Sequence, residues 1–235
     1  MKETAIPQRL ENLPRGGALR AAINTGNRAL VQQGESGLHG ISPALARRLA
    51  TELGVQLEPV VYDGAGQVFE DADRDRWDVA FLAVDPKRAE KVAFTRPYIT
   101  IEATFAVRAG SAIEDVHQVD RDGLRLLTSK DSAYDLHLSK MLQHAKHDRS
   151  GTPSESFERF RSGGWDAVAG VRASLEQAFG ADPDFRILPG VLTKVEQAMV
   201  LPGHDHPLID VLDAFVGRCI ADGFVASVPS GAHVS

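Results

Sequence analysis

The feature that most constrains this chain is the segment Trp77-Asp78-Val79-Ala80-Phe81-Leu82-Ala83-Val84, followed at once by Asp85-Pro86. An apolar run of strand length fits a strand buried on both faces, the usual state of a parallel strand between helices. An aspartate before a proline marks a helix start, because the carboxylate accepts a free N–H and the proline ring is pre-set for the first turn. The segment therefore predicts a buried strand feeding directly into a helix. The same grammar precedes it. Leu19 to Ile23 reads as a strand that ends in the polar loop Asn24-Thr25-Gly26-Asn27-Arg28. Ser42-Pro43 predicts a helix start, Leu45, Leu49 and Leu53 repeat at helical spacing, and Gly54 ends the run. Val55 to Tyr62 reads as the next strand. Alternating strands and helices argue for an α/β fold with a mostly parallel sheet.

The second half repeats the theme. Leu124 to Ser129 is strand-like, Asp131-Ser132 is expected to cap a helix running to about His144, Phe157 to Arg161 is helical, and Trp165 to Val171 is a strand. Phe69 precedes Trp77-Asp78 by the same interval at which Phe157 precedes Trp165-Asp166, an internal echo that two similar lobes would explain. Val195 to Leu201 is a further strand. Leu208, Val211, Leu212, Phe215, Val216, Cys219 and Ile220 then form one wide apolar helix face, with Gly223 as its stop. Cys219, the single cysteine, falls on that face and is expected to be an inert core thiol.

Composition narrows the function. The 235 residues carry a net charge of -6 with no basic run, which argues against nucleic-acid binding. No apolar run is long enough for a membrane span. The first residues, Met1 to Leu10, lack the apolar stretch of a secretion signal, so the sequence as it stands is expected to be cytoplasmic, or periplasmic if a leader has been removed. No Gly-x-Ser-x-Gly elbow or glycine-rich phosphate loop is present. His144 and His147, with Asp148 beside them, suggest a metal pair at helical spacing, but a polar helix end explains them as well; neither metal nor cofactor is expected.

Two blocks carry a family resemblance. Gly40-Ile41-Ser42-Pro43-Ala44-Leu45-Ala46-Arg47-Arg48-Leu49-Ala50-Thr51-Glu52-Leu53-Gly54 is similar to the "GxxxDLAxxLAxxLG" pattern, and Asp78 to Val84, Arg88 and Phe94-Thr95-Arg96-Pro97-Tyr98 to a later block with an arginine and an F-[ST]-x-P-Y turn. From about Leu19 to Val225 the chain resembles the bacterial extracellular solute-binding proteins of family 3, the polar amino-acid receptors of ABC transporters. That resemblance implies two Rossmann-like α/β lobes joined by two crossing strands, the periplasmic-binding-protein type 2 fold, with a ligand cleft between them. The crossings are expected near Phe105 to Arg108 and Met199 to Leu201, with residues 1–104 plus 200–235 as lobe one and 105–199 as lobe two.

The resemblance also implies site residues. Arg88 would grip a ligand carboxylate with its planar, permanently charged fork; a surface salt bridge to Glu90 is the plain alternative. Ser132 would lie at a helix N-terminus suited to an anion. Asp131 replaces a family glycine and either caps that helix or meets a ligand amine. The early loop offers Asn24, Asn27 and Arg28, without the family's acid and stacking aromatic. Phe81 and Ala83 would edge the pocket, Phe81 as wall or as core. Where the family places an aspartate for the ligand's ammonium, this chain has Val171 followed by Arg172, which makes a standard α-amino acid doubtful. The expected function is therefore a monomeric solute-binding protein that closes on a small carboxylate and does no chemistry on it, with an ABC permease as partner. A cyclohexadienyl dehydratase-like enzyme and a cytoplasmic ligand sensor are the alternatives.

Overall fold

The computed structural model describes residues 10–14 and 16–229. The first lobe is built from β1 (Ala18–Asn24), a small hairpin of β2 (Gln32–Gly34) and β3 (Gly37–His39), α1 (Ile41–Leu53), β4 (Gln56–Tyr62), α2 (Ala65–Glu70), β5 (Val79–Ala83) and the short α3 (Pro86–Ala89). A long strand, β6 (Val92–Arg108), leads into β7 (Arg125–Ser129), α4 (Ala133–Met141), β8 (Lys146–Ser150), α5 (Pro153–Ser162), β9 (Ala167–Val171), α6 (Arg172–Phe179) and β10 (Phe185–Ile187). The chain returns through β11 (Thr193–Pro202) and ends its described part with α7 (Ile209–Ala221) and α8 (Phe224–Ser227).

One mixed sheet runs through both lobes in the order β4-β1-β5-β11-β6-β9-β7-β8, with β10 paired to β6. Within each lobe the strands that open onto the centre are parallel: β4, β1 and β5 in one, β8, β7 and β9 in the other. The antiparallel pair β6 and β11 joins them. β6 faces β11 from Val92 to Ala103 and then β9 from Ala103 to Val107. This is a two-lobed α/β fold of the periplasmic-binding-protein type 2 class.

The buried run in β5 behaves as its composition requires. Val79, Ala80, Phe81, Leu82 and Ala83 are all at most 4% exposed, with helices and chain on both faces. Asp85 caps α3 by accepting the Lys87 N–H at 2.9 Å, with Pro86 in the first helical position. The internal echo also has a structural cause. Asp78 accepts the Arg20 N–H at 2.8 Å at the start of β1, and Asp166 accepts the Arg125 N–H at 2.7 Å at the start of β7. In both lobes the aspartate of a Trp-Asp pair pins the first residues of the neighbouring strand. Both residues so held are arginines, Arg20 the third residue of β1 and Arg125 the first of β7.

Two sequence expectations change. Ser42 does not cap α1; the cap position is Gly40, at φ 102°, and the Ser42 hydroxyl instead pairs with the Tyr98 hydroxyl at 3.2 Å. The second-lobe helix stops at Met141, and the polar stretch Lys146 to Ser150 is an edge strand, β8, rather than a helix end. Its alternation was hidden because charged residues occupy an exposed edge. The apolar face of α7 packs where expected, with Leu212, Phe215, Val216 and Cys219 fully buried. Burial pushes the Cys219 thiol up to about 11. Ion pairs Arg96–Asp213, Arg48–Asp222 and Arg218–Glu52 fix α7 to the first lobe. Among the described residues no helix is long and apolar enough to cross a membrane.

Candidate functional site

The last residues of β1, β5, β7 and β9 are Asn24, Ala83, Ser129 and Val171, and all four line one cavity between the lobes. Carboxyl ends of parallel strands are where open α/β sheets form ligand crevices. The space it encloses, counted out to its open mouth, is about 540 Å³. Apolar walls come from Phe81, Val171 and Val195, among others, and polar atoms from Asn27, Ser132, Tyr134 and Gln197. Phe81 serves as both wall and core: it lines the cavity and meets the Tyr98 ring edge-on at 6.2 Å.

Among the described residues that line this cavity, Arg88 is the one with a charged side chain. It sits on α3, one short turn beyond the end of β5, so its side chain folds back over the strand end. It is 1% exposed. The alternative of a surface salt bridge to Glu90 does not occur. The guanidinium donates to the Ala83 carbonyl at 3.0 Å and to the Asp131 carbonyl of the other lobe at 2.7 Å. Its Nε is buried without a partner. With no carboxylate bonded to it, burial pushes its pKa down to about 10, against the opposing pull of Asp85 and Asp131. That displacement corresponds to about 3 kcal/mol of disfavoured charge. A carboxylate in the cavity would offset this cost, because guanidinium and carboxylate pair as a charge-assisted fork.

The loop facing Arg88 is held from behind. Asp131 adopts φ 56°, and its N–H donates to Asp135 at 2.9 Å, which leaves its carbonyl directed at Arg88. Asp135 is 2% exposed and also receives Thr128 Oγ1 at 2.9 Å, Arg149 Nε at 2.8 Å and an imidazole contact from His147 Nε2 at 3.1 Å. Burial raises the Asp135 carboxyl, but the bonds from His147, the Asp131 N–H and Thr128, with the Arg149 charge, outweigh it and hold the group below the ordinary carboxylate range. His147 thus belongs to this network on β8. Ser132 caps α4 by accepting the Asp135 N–H at 3.1 Å. The N–H groups of Ala133 and Tyr134 in the first turn have no acceptor within the helix, and both residues border the cavity. Burial pushes the Tyr134 phenol up to about 12, so it stays a neutral hydroxyl.

The lobes touch directly. Ser174, in the first turn of α6, donates to the Gly26 carbonyl at 3.2 Å and accepts the Arg28 N–H at 3.1 Å. Lys87 pairs with Asp131 at 3.3 Å and Lys140 with Asp85 at 3.3 Å across the cleft. A Cβ on Gly26 would lie 2.4 Å from the Asp63 carbonyl and 3.0 Å from Pro153, so this closeness requires glycine.

Of the residues singled out from sequence, Asn24, Asn27, Phe81, Ala83, Arg88 and Ser132 converge on the cavity. Three do not present side chains there. Arg28 contributes its backbone N–H to Ser174, with its side chain at a shallower depression outside. Arg172 turns away to Glu102 at 3.2 Å and the Gly190 carbonyl at 2.5 Å. The Asp131 carboxylate is drawn outward by Lys87. Ser129, Tyr134, Ser174 and Gln197 were not anticipated. Ser174 follows a strand end by three residues, a position the strand-end rule would have singled out. Val195 and Gln197 reach the cavity as alternate residues of β11.

Solved structures share this fold. A binding component of an ABC transporter from Wolinella succinogenes, complexed with lysine, is 19% identical, with 94% of this chain and 97% of that one covered at a TM-score of 0.78. Arginine-bound ArgBP from T. maritima, as its Gly52Ala mutant, is 21% identical over 86% of this chain and 95% of its own, at 0.74. An ancestral amino acid-binding protein, a precursor of cyclohexadienyl dehydratase, is 20% identical over 93% and 96%, at 0.76. Membrane-bound lytic murein transglycosylase F of Saccharophagus degradans is 27% identical over 142 residues, which are 58% of this chain but only 27% of that protein's length. The model of the bacterial extracellular solute-binding proteins, family 3, matches residues 19–228, and this chain belongs to that family.

Proposed function

We propose that the protein is a solute receptor that closes its two lobes on a small carboxylate held by Arg88 and does not transform it. The observation that carries this reading is the buried Arg88 guanidinium on the border of the cavity, bonded to two carbonyls and to no carboxylate, with a buried Nε that has no partner. A buried cation with spare donors calls for an anion. The relatives' complexes with arginine and lysine support a receptor for small solutes, and an ABC-type permease is the partner that the reading implies.

A dehydratase-like activity needs a proton donor placed at the substrate. Among the described residues that line the cavity there is no aspartate, glutamate or histidine, and burial makes the Tyr134 phenol a still weaker acid. The test pairs a thermal-shift panel of carboxylates, amino acids and sugar acids with an assay on prephenate and arogenate. Stabilisation by carboxylates without turnover is expected. Steady product formation that disappears on changing a cavity residue would overturn the reading in favour of an enzyme.

A further inference from the structure

We propose that the cavity selects a carboxylate bearing a hydroxyl where an amino acid bears its ammonium: a 2-hydroxy acid. This rests on the reading that the cavity takes a carboxylate through Arg88, and it specifies the class of ligand.

Charge balance carries the argument. Arg88 is the sole ionised side chain among the described residues that line the cavity. A ligand carboxylate neutralises it. An α-ammonium would then be a second cation in the same enclosed space, with no carboxylate among the described lining residues to pair with it. Burying an unpaired charge costs far more than one hydrogen bond returns. The nearby carboxylates do not remedy this. Asp131 offers Arg88 its carbonyl while its carboxylate pairs outward with Lys87, and Asp85 caps α3 and pairs with Lys140. At the end of β9, Val171 presents only methyl groups to the cavity.

The polar lining suits a hydroxyl instead. Asn27 borders the cavity, and its buried Oδ1 has no partner. A hydroxyl both donates and accepts, so it satisfies the Asn27 amide in either orientation, and it brings no charge. Gln197, 5% exposed, and the neutral Tyr134 hydroxyl supply further uncharged partners on the same cavity. The apolar remainder, Phe81, Val171 and Val195, fits a short carbon skeleton.

The test is isothermal titration calorimetry of the full chain with matched pairs: lactate against alanine, glycerate against serine, and 2-hydroxyisovalerate against valine. At least one hydroxy acid should bind, and at least about thirtyfold more tightly than its amino partner. In Asn27→Asp, which places an anion at the unpartnered oxygen, that ratio should shift at least about tenfold toward the amine. An amino acid that binds wild type as tightly as its hydroxy partner overturns the ligand class and leaves the carboxylate reading standing. So does tight binding of carboxylates outside these pairs, dependent on Arg88, with no preference for a hydroxyl. If no carboxylate binds at all, the receptor reading fails and this inference fails with it.

Discussion

Replacing Arg88 with alanine is expected to abolish ligand binding while leaving the ligand-free protein nearly as stable as before. The binding loss follows from truncating one partner of a buried charged contact, which costs about 2–5 kcal/mol. That is a loss of affinity of about 30-fold to several thousand-fold. At a ligand concentration one hundred times its dissociation constant, wild type gains about 2.7 kcal/mol. For a chain of this size the gain is a rise in melting temperature of about 5–10 °C. Arg88→Ala should show almost none of it. The ligand-free balance has opposing parts. Removing the guanidinium leaves the Ala83 and Asp131 carbonyls without donors, at about 1–3 kcal/mol each. It also removes a buried charge disfavoured by about 3 kcal/mol. Arg88→Lys should not restore binding, because an ammonium cannot span two carbonyls and grip a carboxylate as a fork does. A thermal melt with and without ligand checks both halves. Wild-type affinity in Arg88→Ala would mean that the carboxylate sits elsewhere.

Asp135→Ala should be the most destabilising single change near the site. Its carboxylate holds Thr128, His147, Arg149 and the Asp131 N–H together, and the side chain is 4% exposed. Breaking a buried charge network costs about 3–5 kcal/mol. The lower end applies, since Arg149 is 41% exposed and can turn to water. A loss of about 3 kcal/mol lowers the melting temperature by about 6–12 °C. The loop should also loosen, because Asp135 fixes the Asp131 carbonyl that faces Arg88, so affinity falls with stability. The pH dependence separates this role from simple packing. The folded Asp135 pKa lies below its unfolded value, so its stabilisation is fully present above the unfolded value and is lost as pH falls through the folded one. Wild type should therefore lose stability more steeply in acid than Asp135→Asn, as a melt series across the acid range would record.

The elements that produced a sequence signal did so for physical reasons. β5, β9 and α7 are buried on wide faces, and burial is written as apolar pattern. β8 is a charged edge strand, so its pattern carried little of that signal and it was read as helix end. At the site, the residues that the family resemblance singled out and that reach the cavity also sit where chain position puts them there: Arg88 after a capped strand-to-helix turn, Ser132 at a helix start, Asn24 and Asn27 in a strand-end loop. The orientation of Asp131 was not legible. It depends on Asp135, four residues on, and on Lys87 from the other lobe, a contact that no local pattern encodes. Ser174 was missed for the same reason, since its partners Gly26 and Arg28 are distant in sequence.

These contacts set the terms of closure. Across the cleft, the Ser174 bonds contribute about 1 kcal/mol each, and the exposed lysine pairs contribute little. The buried Arg88 charge, bonded to no carboxylate, opposes them, while its bond to the Asp131 carbonyl also crosses the cleft. On the proposed reading, a bound carboxylate pairs with Arg88 and shifts the lobes toward closure. Small-angle scattering during a ligand titration measures this most directly. With ligand, the radius of gyration should fall toward about 18 Å, the value for a compact chain of this length, with a midpoint matching the calorimetric affinity, and Arg88→Ala should show no such fall. A radius that stays constant while calorimetry records binding would contradict the account.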